Sequence, residues 1–362
     1  MGKSLKAEKI ERVVVRGANW VGDAVMTVPA LRELRRILPG AHITLATRPW
    51  ALGIFEGADF IDDILIEEEP RGVRAFFRQV REWRERRFDL AVLFPNAFSP
   101  ALVAFAARVP ARFGYATDGR GFLLSYSGID VPKWRDRQHE VFYYIHLVWW
   151  VEILLGLPTS VTKRKPRTEL SVSDERRAGA REFLRGRGVR LDRPVVALCP
   201  GSTNSRAKRW PAAAFAALAD MLAEEAGAEV ILVGAREESE VSEEVASLAR
   251  RRPFVLTGET DLARSVAVLS VADLLVTNDT GPAHIAAAVG CPVVVIFGPT
   301  NPVTTRPFSP LAEVVRRPPD CAPCMLRDCP IDHRCMTAIS AEEVFARAAQ
   351  ALEARRKLEV AR

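Results

Sequence analysis

The sequence predicts an α/β protein made of two halves, each a parallel β-sheet wound with helices. Apolar segments of strand length alternate with segments of helical periodicity, which is the pattern of a parallel sheet. A Pro- and Lys-rich stretch, 157–167, interrupts this alternation and is a natural linker. The chain has 362 residues, enough for two domains with a core each. We therefore expect one domain over 1–165 and a second over 166–362.

The strands are predicted from short apolar runs that are rich in Val, Ile and Leu. In the first half they lie near 13–15, 43–46, 61–66 and 90–94, and in the second half near 194–199, 229–234, 273–277 and 292–297. A final helix is expected over 341–358, either on the outside of the second half or crossing back to the first. Ligands of such sheets bind beyond the carboxyl ends of the strands, so the loops at those ends are the places to look for a site.

The loop after the strand at 273–277 has the features of a phosphate site. Asp279, Thr280 and Gly281 stand directly before a helix that is predicted to start at Pro282. A helix N-terminus carries unpaired N–H donors and partial positive charge, and Gly allows a ligand to approach the backbone closely. Asp279 is equally well explained as a helix cap, and His284, one turn into the helix, as a packed side chain.

A second loop repeats this arrangement after the strand at 194–199. Ser202 and Thr203 supply hydroxyls, and Lys208 and Arg209 supply positive charge before an Ala-rich helix. These groups suit a diphosphate. The Gly-Lys-Ser/Thr ending of a Walker loop is missing. Two such loops in one half favour a nucleotide-diphosphate site over ordinary connections.

The third informative loop follows the first strand and leads into a helix with Leu31, Leu34 and Leu38 at helical spacing. Its glycines do not form the Gly-x-Gly-x-x-Gly fingerprint, so a nicotinamide site is disfavoured. Asp23 is a lone carboxylate near the start of that helix. Two interpretations stay open, a helix-capping residue and a general base at the site.

These three loops together resemble the bacterial lipopolysaccharide heptosyltransferases, which form glycosyltransferase family nine. The resemblance runs from about residue 13 to about residue 336, with the motifs in the expected order. The residues that carry it are Trp20-Val21-Gly22-Asp23, Pro200-Gly201-Ser202 with Lys208-Arg209-Trp210-Pro211, and Thr277-Asn278-Asp279-Thr280-Gly281 with His284.

The resemblance implies the GT-B fold, in which two Rossmann-like domains face each other across a cleft, and an inverting, metal-independent transfer of heptose from ADP-heptose. Asp23 and Lys208 would be catalytic, as the base and as the cation that offsets the charge of the leaving diphosphate. The donor-binding residues would be Ser202, Thr203, Lys208, Glu238 (at the ribose), Asp279, Thr280, Gly281 and His284. An exposed glutamate at a helix start is the alternative interpretation of Glu238.

The acceptor implied by the resemblance is the first heptose of the lipopolysaccharide inner core, carried on an anionic Kdo-lipid A. A heptosyltransferase acting earlier or later on the core is the alternative. Asn19, Trp20, Asn96 and Arg120 are the residues predicted to contact the acceptor. Two other classes also stay open: a nucleotide-sugar epimerase, and a non-enzymatic nucleotide- or membrane-binding scaffold.

Charge indicates an anionic partner. The net charge is +6, and arginines crowd one predicted helix, at Arg71, Arg74, Arg78, Arg81, Arg84, Arg86 and Arg87. The helix is either a solvated face or a surface for anionic lipid headgroups or a phosphorylated acceptor. Nucleic acid is not expected, because no recognised module accompanies the charge.

The expected location is the cytoplasm, at the inner face of the cytoplasmic membrane. The apolar stretch 141–157 contains His146 and Glu152, which are expensive in lipid, so it is predicted to be a buried helix. The first nine residues lack the apolar run of a secretory signal.

Four of the six cysteines cluster near the end of the second half, at Cys321, Cys324, Cys329 and Cys335, together with His333. This spacing suits a structural zinc ion or, less well, an iron–sulfur cluster, although it matches no standard zinc motif. Disulfides are disfavoured in a cytoplasmic chain. Free thiols are the alternative, and catalysis is expected to need no cofactor, since no Asp-x-Asp motif is present.

Overall fold

The computed structural model describes residues 6–68, 72–126 and 129–360, with side chains up to residue 358. The chain divides into two compact units, Met1–Thr168 and Glu169–Arg362. Each unit contains one parallel sheet with helices around it, which is the fold class predicted from the sequence. The acceptor and donor roles assigned to residues 1–165 and 166–362 stay predictions.

The first unit has a five-stranded sheet in the order β3-β2-β1-β4-β5, with all neighbours parallel. Its strands are β1 (Arg12–Arg16), β2 (His42–Thr47), β3 (Asp63–Ile66), β4 (Leu90–Leu93) and β5 (Ala111–Phe113). Val13, Val14 and Val15 in the central strand are fully buried. A central strand covered by helices on both faces has no polar side to its sequence, so β1 reads as a continuous apolar run.

Among the residues described for the first unit there are six α-helices. They are α1 (Val21–Met26), α2 (Val28–Ile37), α3 (Leu52–Phe55), α4 (Val73–Glu85), α5 (Phe98–Ala106) and α6 (Glu140–Leu154). The arginine-rich helix is α4, which buries Val80 and Trp83 and leaves Arg74, Arg78 and Arg81 exposed. Arg71 lies outside the described residues.

Helix α6 is the apolar helix predicted over 141–157, and it packs against α2. Glu152, which is fully buried, accepts hydrogen bonds from the backbone and hydroxyl of Ser160 and from the Val161 N–H. Burial alone would raise the pKa of Glu152, but these hydrogen bonds and Arg36 outweigh it and lower the pKa. In the part of the chain that the structure describes, every helix is too short or too polar to cross a membrane.

The second unit has a six-stranded parallel sheet in the order β11-β10-β9-β6-β7-β8. Its strands are β6 (Val195–Cys199), β7 (Glu229–Leu232), β8 (Phe254–Val255), β9 (Leu274–Asn278), β10 (Val293–Phe297) and β11 (Ala312–Arg316). The two strands predicted to lead into phosphate loops, β6 and β9, are neighbours at the centre of this sheet. Their loops therefore leave the sheet side by side at the same edge.

The second unit has eight α-helices among its described residues. They are α7 (Asp174–Gly186), α8 (Ala212–Glu224), α9 (Ser239–Leu248), α10 (Leu262–Val271), α11 (Gly281–Ala288), α12 (Pro302–Thr305), α13 (Arg334–Thr337) and α14 (Ala341–Val360). The final helix α14 packs against α8, β9 and β10, so it covers the second unit's own sheet. Its buried Val344 and Ala348 join the core around Trp210 and Phe215.

All eight predicted strands are present, with ends that move by one or two residues. Three strands were not predicted: β5, β8 and β11. The first two have three and two residues, which is too short for a periodic signal. The third is a sheet-edge strand, and its side chains are mostly half-buried, so its sequence lacks a continuous apolar run.

Candidate active site

An ion pair between Lys208 and Asp279 joins the two central loops of the second unit. Lys208 ends a 3₁₀ turn, Arg206–Lys208, in the loop after β6, and Asp279 directly follows β9. The Lys208 Nζ lies 2.9 Å from the Asp279 Oδ2 and 3.1 Å from its carbonyl oxygen. The Lys208 side chain is 26 % exposed and that of Asp279 is 6 % exposed. The carboxylate is therefore enclosed, whereas the ammonium group still reaches solvent and is available to an anion.

Thr300 and Asn278 hold this pair in place. The Thr300 hydroxyl donates to the Asp279 Oδ2 at 2.7 Å. The Asn278 amide donates to the carbonyls of Pro200 and Gly201 at 2.8 and 3.1 Å, and its oxygen accepts from the Trp210 N–H at 3.0 Å. Asn278 is fully buried. A single side chain at the end of β9 thus fixes both ends of the loop that carries Lys208.

Glu238 is a buried carboxylate that faces the start of the same loop. One of its oxygens accepts from the Ala235 N–H at 2.9 Å, and the other from the Thr203 hydroxyl at 3.2 Å. A Cβ on Gly201 would lie 2.3 Å from the carboxyl carbon of Glu238. Only glycine at 201 lets the carboxylate reach this position, so Gly201 and Glu238 fit as a pair. Glu238 is 7 % exposed, so the alternative interpretation as an exposed glutamate at a helix start is wrong.

Thr280 and Gly281 form the helix terminus that was predicted as a phosphate site. Thr280 is the extended N-cap residue of α11, and its hydroxyl lies 3.2 Å from that of Thr277. The N–H groups in the first turn of an α-helix have no acceptor four residues earlier, and α11 begins at Gly281, beside Asp279. Ser202 and His284 are both buried, at 3 and 6 % exposure. The Ser202 carbonyl accepts from Arg209, which tightens the loop between them.

In the first unit, Asp23 lies in the first turn of α1, which follows the carboxyl end of β1. The Tyr144 hydroxyl of α6 donates to the Asp23 Oδ1 at 3.4 Å. Burial raises the pKa of Tyr144 well above its ordinary value, so the phenol keeps its proton and remains a donor. Asp23 is half-buried. It combines an oriented carboxylate with access from solvent, which a general base needs.

The predicted acceptor residues differ in exposure. Trp20 is 56 % exposed, and Asn19 is exposed with its side-chain oxygen held by Arg16 at 3.1 Å. Asn96 is half-buried, with its amide group 2.8 Å from the Tyr143 hydroxyl. These three residues leave polar or apolar surface for a ligand.

Arg120 is different, because it is fully buried. Its guanidinium donates to the carbonyls of Tyr115, Pro95 and Ala97. Burial lowers the pKa of Arg120 to about 10, so it is charged at neutral pH. The side chain binds the turn next to Asn96 and presents no surface to solvent, which does not fit a direct contact with an acceptor.

The four clustered cysteines line one small cavity of about 20 Å³ in the second unit. Cys321, Cys324 and Cys329 are exposed, whereas Cys335 is buried. Burial and the three neighbouring cysteines raise the pKa of Cys335. Within the described ranges, no three His, Cys, Asp or Glu side chains are arranged to hold a metal ion. The His333 Nε2 lies 2.6 Å from the Ala207 carbonyl.

The loop that contains these cysteines is attached to the loop that carries Lys208. The Ala207 N–H donates to the Arg327 carbonyl at 2.9 Å, and the Ser205 hydroxyl donates to the same oxygen at 3.2 Å. Arg206 pairs with Asp328 at 2.7 Å. With the His333 contact, these bonds hold the turn that ends at Lys208 at residues that Asn278 does not contact.

Sequence reasoning missed four residues of this arrangement as functional: Asn278, Thr300, Tyr144 and Gly201. Asn278 and Gly201 stand inside the motifs, but their partners lie on other loops. Tyr144 lies in the apolar stretch 141–157, which was predicted only as a buried helix, and Thr300 follows β10 without a distinguishing pattern. The one available signal was that Asn278 is a polar residue at the carboxyl end of the central strand β9.

The chain has two α/β units, and in the second a cationic loop and a helix terminus lie at the carboxyl ends of central strands. This arrangement is typical of sugar-nucleotide glycosyltransferases. Residues 73–334 match the family described as glycosyltransferase family 9 (heptosyltransferase). The chain belongs to this family. It is therefore a glycosyltransferase, and the epimerase and non-enzymatic alternatives are set aside.

Relatives agree with this assignment. The chain is 30% identical over 316 residues to lipopolysaccharide heptosyltransferase 2 of Escherichia coli K12, covering 84% of this chain and 88% of that protein. It is similar to the solved E. coli ADP-heptose lps heptosyltransferase II, with 26% identity, a TM-score of 0.80, and 96% and 100% of the two chains covered. The predicted GT-B fold class is confirmed by this match.

A third similarity concerns the fold alone. The E. coli heptosyltransferase WaaC, solved with ADP-2-deoxy-2-fluoro heptose, matches with a TM-score of 0.68 at 18% identity, covering 94% of this chain and 99% of that one.

Proposed function

We propose that this enzyme transfers heptose from ADP-L-glycero-D-manno-heptose to the first heptose of the lipopolysaccharide inner core, with inversion at the anomeric carbon. The observation that carries the proposal is the Lys208 side chain, 26 % exposed, whose ammonium is held 2.9 Å from a buried Asp279 beside the N-terminus of α11. The names of these related enzymes support lipopolysaccharide as the acceptor and ADP-heptose as the donor.

The donor would bind to the second unit. Lys208 and the first-turn N–H groups near Thr280 and Gly281 would contact the diphosphate, because both present positive potential at one edge of the sheet. Ser202 and Thr203 would line the same loop, and Glu238 would accept hydrogen bonds from the ribose hydroxyls. Asp279 would keep Lys208 oriented between turnovers, and His284 would support the helix terminus from within α11.

Asp23 would act as the general base on the acceptor. The acceptor oxygen attacks the anomeric carbon, the bond from that carbon to the diphosphate oxygen breaks, and ADP leaves with the electron pair. The acceptor's proton passes to the Asp23 carboxylate, which the Tyr144 hydroxyl orients. Lys208 stabilises the negative charge that grows on the leaving diphosphate, so catalysis needs no metal ion.

The acceptor would bind to the first unit, where Asn19, Trp20 and Asn96 offer polar and aromatic surface. Arg120 would act behind them by holding the Pro95–Ala97 carbonyls. Acceptors that carry no heptose or two heptoses are the competing substrates, because these residues do not by themselves distinguish between core positions.

The test is a transfer assay with ADP-heptose, EDTA and three purified inner-core acceptors that bear no, one or two heptoses. Wild type, Asp23→Ala and a matched control, Asp136→Ala, are compared; Asp136 is an exposed carboxylate of the same unit. We expect transfer only to the one-heptose acceptor and loss of transfer only in Asp23→Ala. Transfer to a different acceptor would correct the substrate, and full activity of Asp23→Ala would remove Asp23 as the base.

We further propose that the enzyme works in the cytoplasm at the inner face of the cytoplasmic membrane, where a lipid-linked anionic acceptor would be presented. The formal charge of +6 favours such an anionic surface. A cell-fractionation experiment tests this location: the protein should sediment with inner membranes at low salt and be released at high salt.

For the cysteine loop we propose a structural zinc ion. The four cysteines share a cavity of about 20 Å³, which is the size of one ion or water. Thiolates are preferred zinc ligands, and binding would require the three exposed thiols to turn toward Cys335. A zinc ion would supply no chemistry to the transfer; it would hold a loop that is hydrogen-bonded to the Lys208 loop.

This zinc proposal is tested by elemental analysis of the purified protein for zinc and iron, with Cys324→Ser and Cys291→Ser as variant and control. We expect about one zinc per chain in wild type and Cys291→Ser and a loss of zinc in Cys324→Ser. Cys291 is buried away from the loop, and burial raises the pKa of its thiol to about 12. A metal-free wild type would support free thiols, and iron in place of zinc would change the identity of the ion.

A further inference from the structure

The first unit contains a cavity of about 400 Å³ that is lined by none of the residues assigned above to heptose transfer. One wall is a stripe of α6 formed by Phe142, Ile145, His146 and Trp149. Residues at these spacings share one face of a helix. Trp134 and Val161 close the cavity from the flanking segments. Tyr144, which contacts Asp23, lies about 200° around the helix from Phe142, on the opposite face.

The walls of the cavity are aromatic and only half-buried. The His146 ring lies 5.6 Å from the Trp134 ring and 5.4 Å from the Trp149 ring. The His146 Nδ1 is 2.9 Å from the Tyr115 hydroxyl, and burial lowers the pKa of His146, so its ring is neutral at pH 7. The cavity therefore offers an uncharged, ring-lined surface of the size that suits a small apolar ligand.

The rim of the cavity is strongly basic. The two segments that border it, 133–138 and 162–167, contain seven Lys or Arg residues and one Asp. Arg164 lines the opening, and Lys163 and Lys165 beside it are exposed. Lys133 and Arg137 are exposed on the other side, next to Trp134. An apolar cavity with a cationic rim complements a molecule that has an apolar chain and an anionic head.

We propose that this cavity binds an anionic phospholipid of the membrane surface, with an acyl chain against the α6 stripe and the headgroup phosphate at the Lys163–Lys165 rim. The proposal rests on the membrane association suggested under Proposed function and gives it a place in the fold. It requires no heptose transfer, because lipid binding is measured without donor or acceptor.

Helix α4 is the competing surface, because it exposes Val73 and Phe77 among arginines. Its cations are partly neutralised: Arg81 lies 3.5 Å from Glu85, and Arg86 lies 2.6 Å from Asp63. On the rim, Arg135 is paired with Glu140 at 2.7 Å, but the segment 162–167 itself contains no acidic residue. Charge complementarity to an anionic headgroup therefore favours the cavity over α4.

The first experiment is flotation of the full chain with phosphatidylcholine vesicles that contain or lack phosphatidylglycerol. The rim variant is Lys163→Gln/Arg164→Gln/Lys165→Gln, and the matched control is Arg74→Gln/Arg78→Gln/Arg81→Gln. All six residues are exposed, so both variants should fold. We expect the rim variant to lower partition onto anionic vesicles by roughly tenfold to a hundredfold and the control by less than about threefold. The proposal would be overturned if the control lost as much vesicle binding as the rim variant or more. It would also be overturned if wild type bound equally well to vesicles with and without phosphatidylglycerol.

The second experiment tests whether an acyl chain enters the cavity. Vesicles with brominated acyl chains quench tryptophans that contact the chains. Trp149→Phe removes a cavity wall tryptophan, and Trp150→Phe is its matched control, because Trp150 is half-buried on the same helix and does not line the cavity. We expect Trp149→Phe to lose more of the bromine-dependent quenching than Trp150→Phe. Equal losses in the two variants would refute insertion at this site.

Discussion

Replacing Gly201 with alanine tests the tight fit between the Lys208 loop and Glu238. The added Cβ would lie 2.3 Å from the carboxyl carbon and from one oxygen of Glu238, and 2.7 Å from its Cγ. Separations this short cannot persist, so either the loop or the carboxylate must move. Glu238 is 7 % exposed and cannot turn into solvent without disturbing its surroundings.

The cost of this substitution follows from what Glu238 would lose. It accepts two hydrogen bonds, from the Ala235 N–H at 2.9 Å and the Thr203 hydroxyl at 3.2 Å. A hydrogen bond to a charged group contributes roughly 1.5–3 kcal/mol, and overpacking by one methyl costs roughly 1–3 kcal/mol. Because the loop can relax in part, we expect Gly201→Ala to lower the free energy of unfolding by about 2–4 kcal/mol.

A double-mutant cycle separates this clash from any general effect of alanine at 201. All three atoms that the new Cβ would meet belong to Glu238 beyond its Cβ, so Glu238→Ala removes them. We expect Gly201→Ala to cost less than about 1 kcal/mol in the Glu238→Ala background. Urea unfolding followed by circular dichroism gives the free energies of unfolding of the four proteins in the cycle. Calorimetry gives their affinities for ADP, which depend on the position of the Lys208 loop. If Gly201→Ala costs the same in both backgrounds, the pairing of Gly201 with Glu238 is refuted.

Three further predictions concern charge, acid stability and positioning. Lys208→Gln should lower kcat for heptose transfer by roughly 10²–10³-fold with an unchanged circular dichroism spectrum; a loss below tenfold would contradict its role at the diphosphate. The pKa of Glu152 is lowered, so its ionised form stabilises the fold fully above pH 4.5, and that contribution is lost as pH falls through the lower folded-state pKa. Glu152→Gln should therefore unfold more easily near neutral pH and show a smaller difference from wild type in acid; equal urea midpoints at pH 7 would contradict this. Tyr144→Phe should lower kcat by up to about tenfold with KM unchanged, since one weak hydrogen bond to Asp23 is lost, whereas a rise in KM alone would assign Tyr144 to binding.

The sequence predicted the central strands and the loops at their carboxyl ends because both depend on local pattern. Val13–Val15 are consecutive apolar residues, because side chains on both faces of the sheet are buried there. Asp279 and Lys208 were recognised because each stands between a strand and a helix. The two lie 71 residues apart in the chain, and their ion pair depends on β6 and β9 being neighbours. Strand order in a sheet is a long-range property that residue spacing does not encode.

Burial was the other property that the sequence did not reveal. Arg120 and Glu238 have the residue types of surface or ligand-binding groups, yet both are enclosed. Arg120 is satisfied by backbone carbonyls, two of them from a loop more than twenty residues earlier. Glu238 is satisfied by the Ala235 N–H and the Thr203 hydroxyl, and Gly201 leaves room for it. Each charged side chain is tolerated inside only because specific partners surround it, and several of those partners lie far from it in the chain.

The Lys208 loop is held from two sides, and this has a consequence for how the donor is bound. Asn278 fixes the two ends of the loop from the sheet, and the cysteine-containing loop fixes its middle through the Ala207 N–H and the His333 ring. A loop that is ordered before the ligand arrives loses less conformational entropy on binding, so more of the Lys208–diphosphate attraction remains as affinity. By the same reasoning, the cysteines affect donor binding only indirectly. A change that stiffens or loosens residues 321–335 should alter the affinity for the donor diphosphate more than the chemistry of Asp23. The reason is that the hydrogen bonds of residues 321–335 end on the loop that carries Lys208.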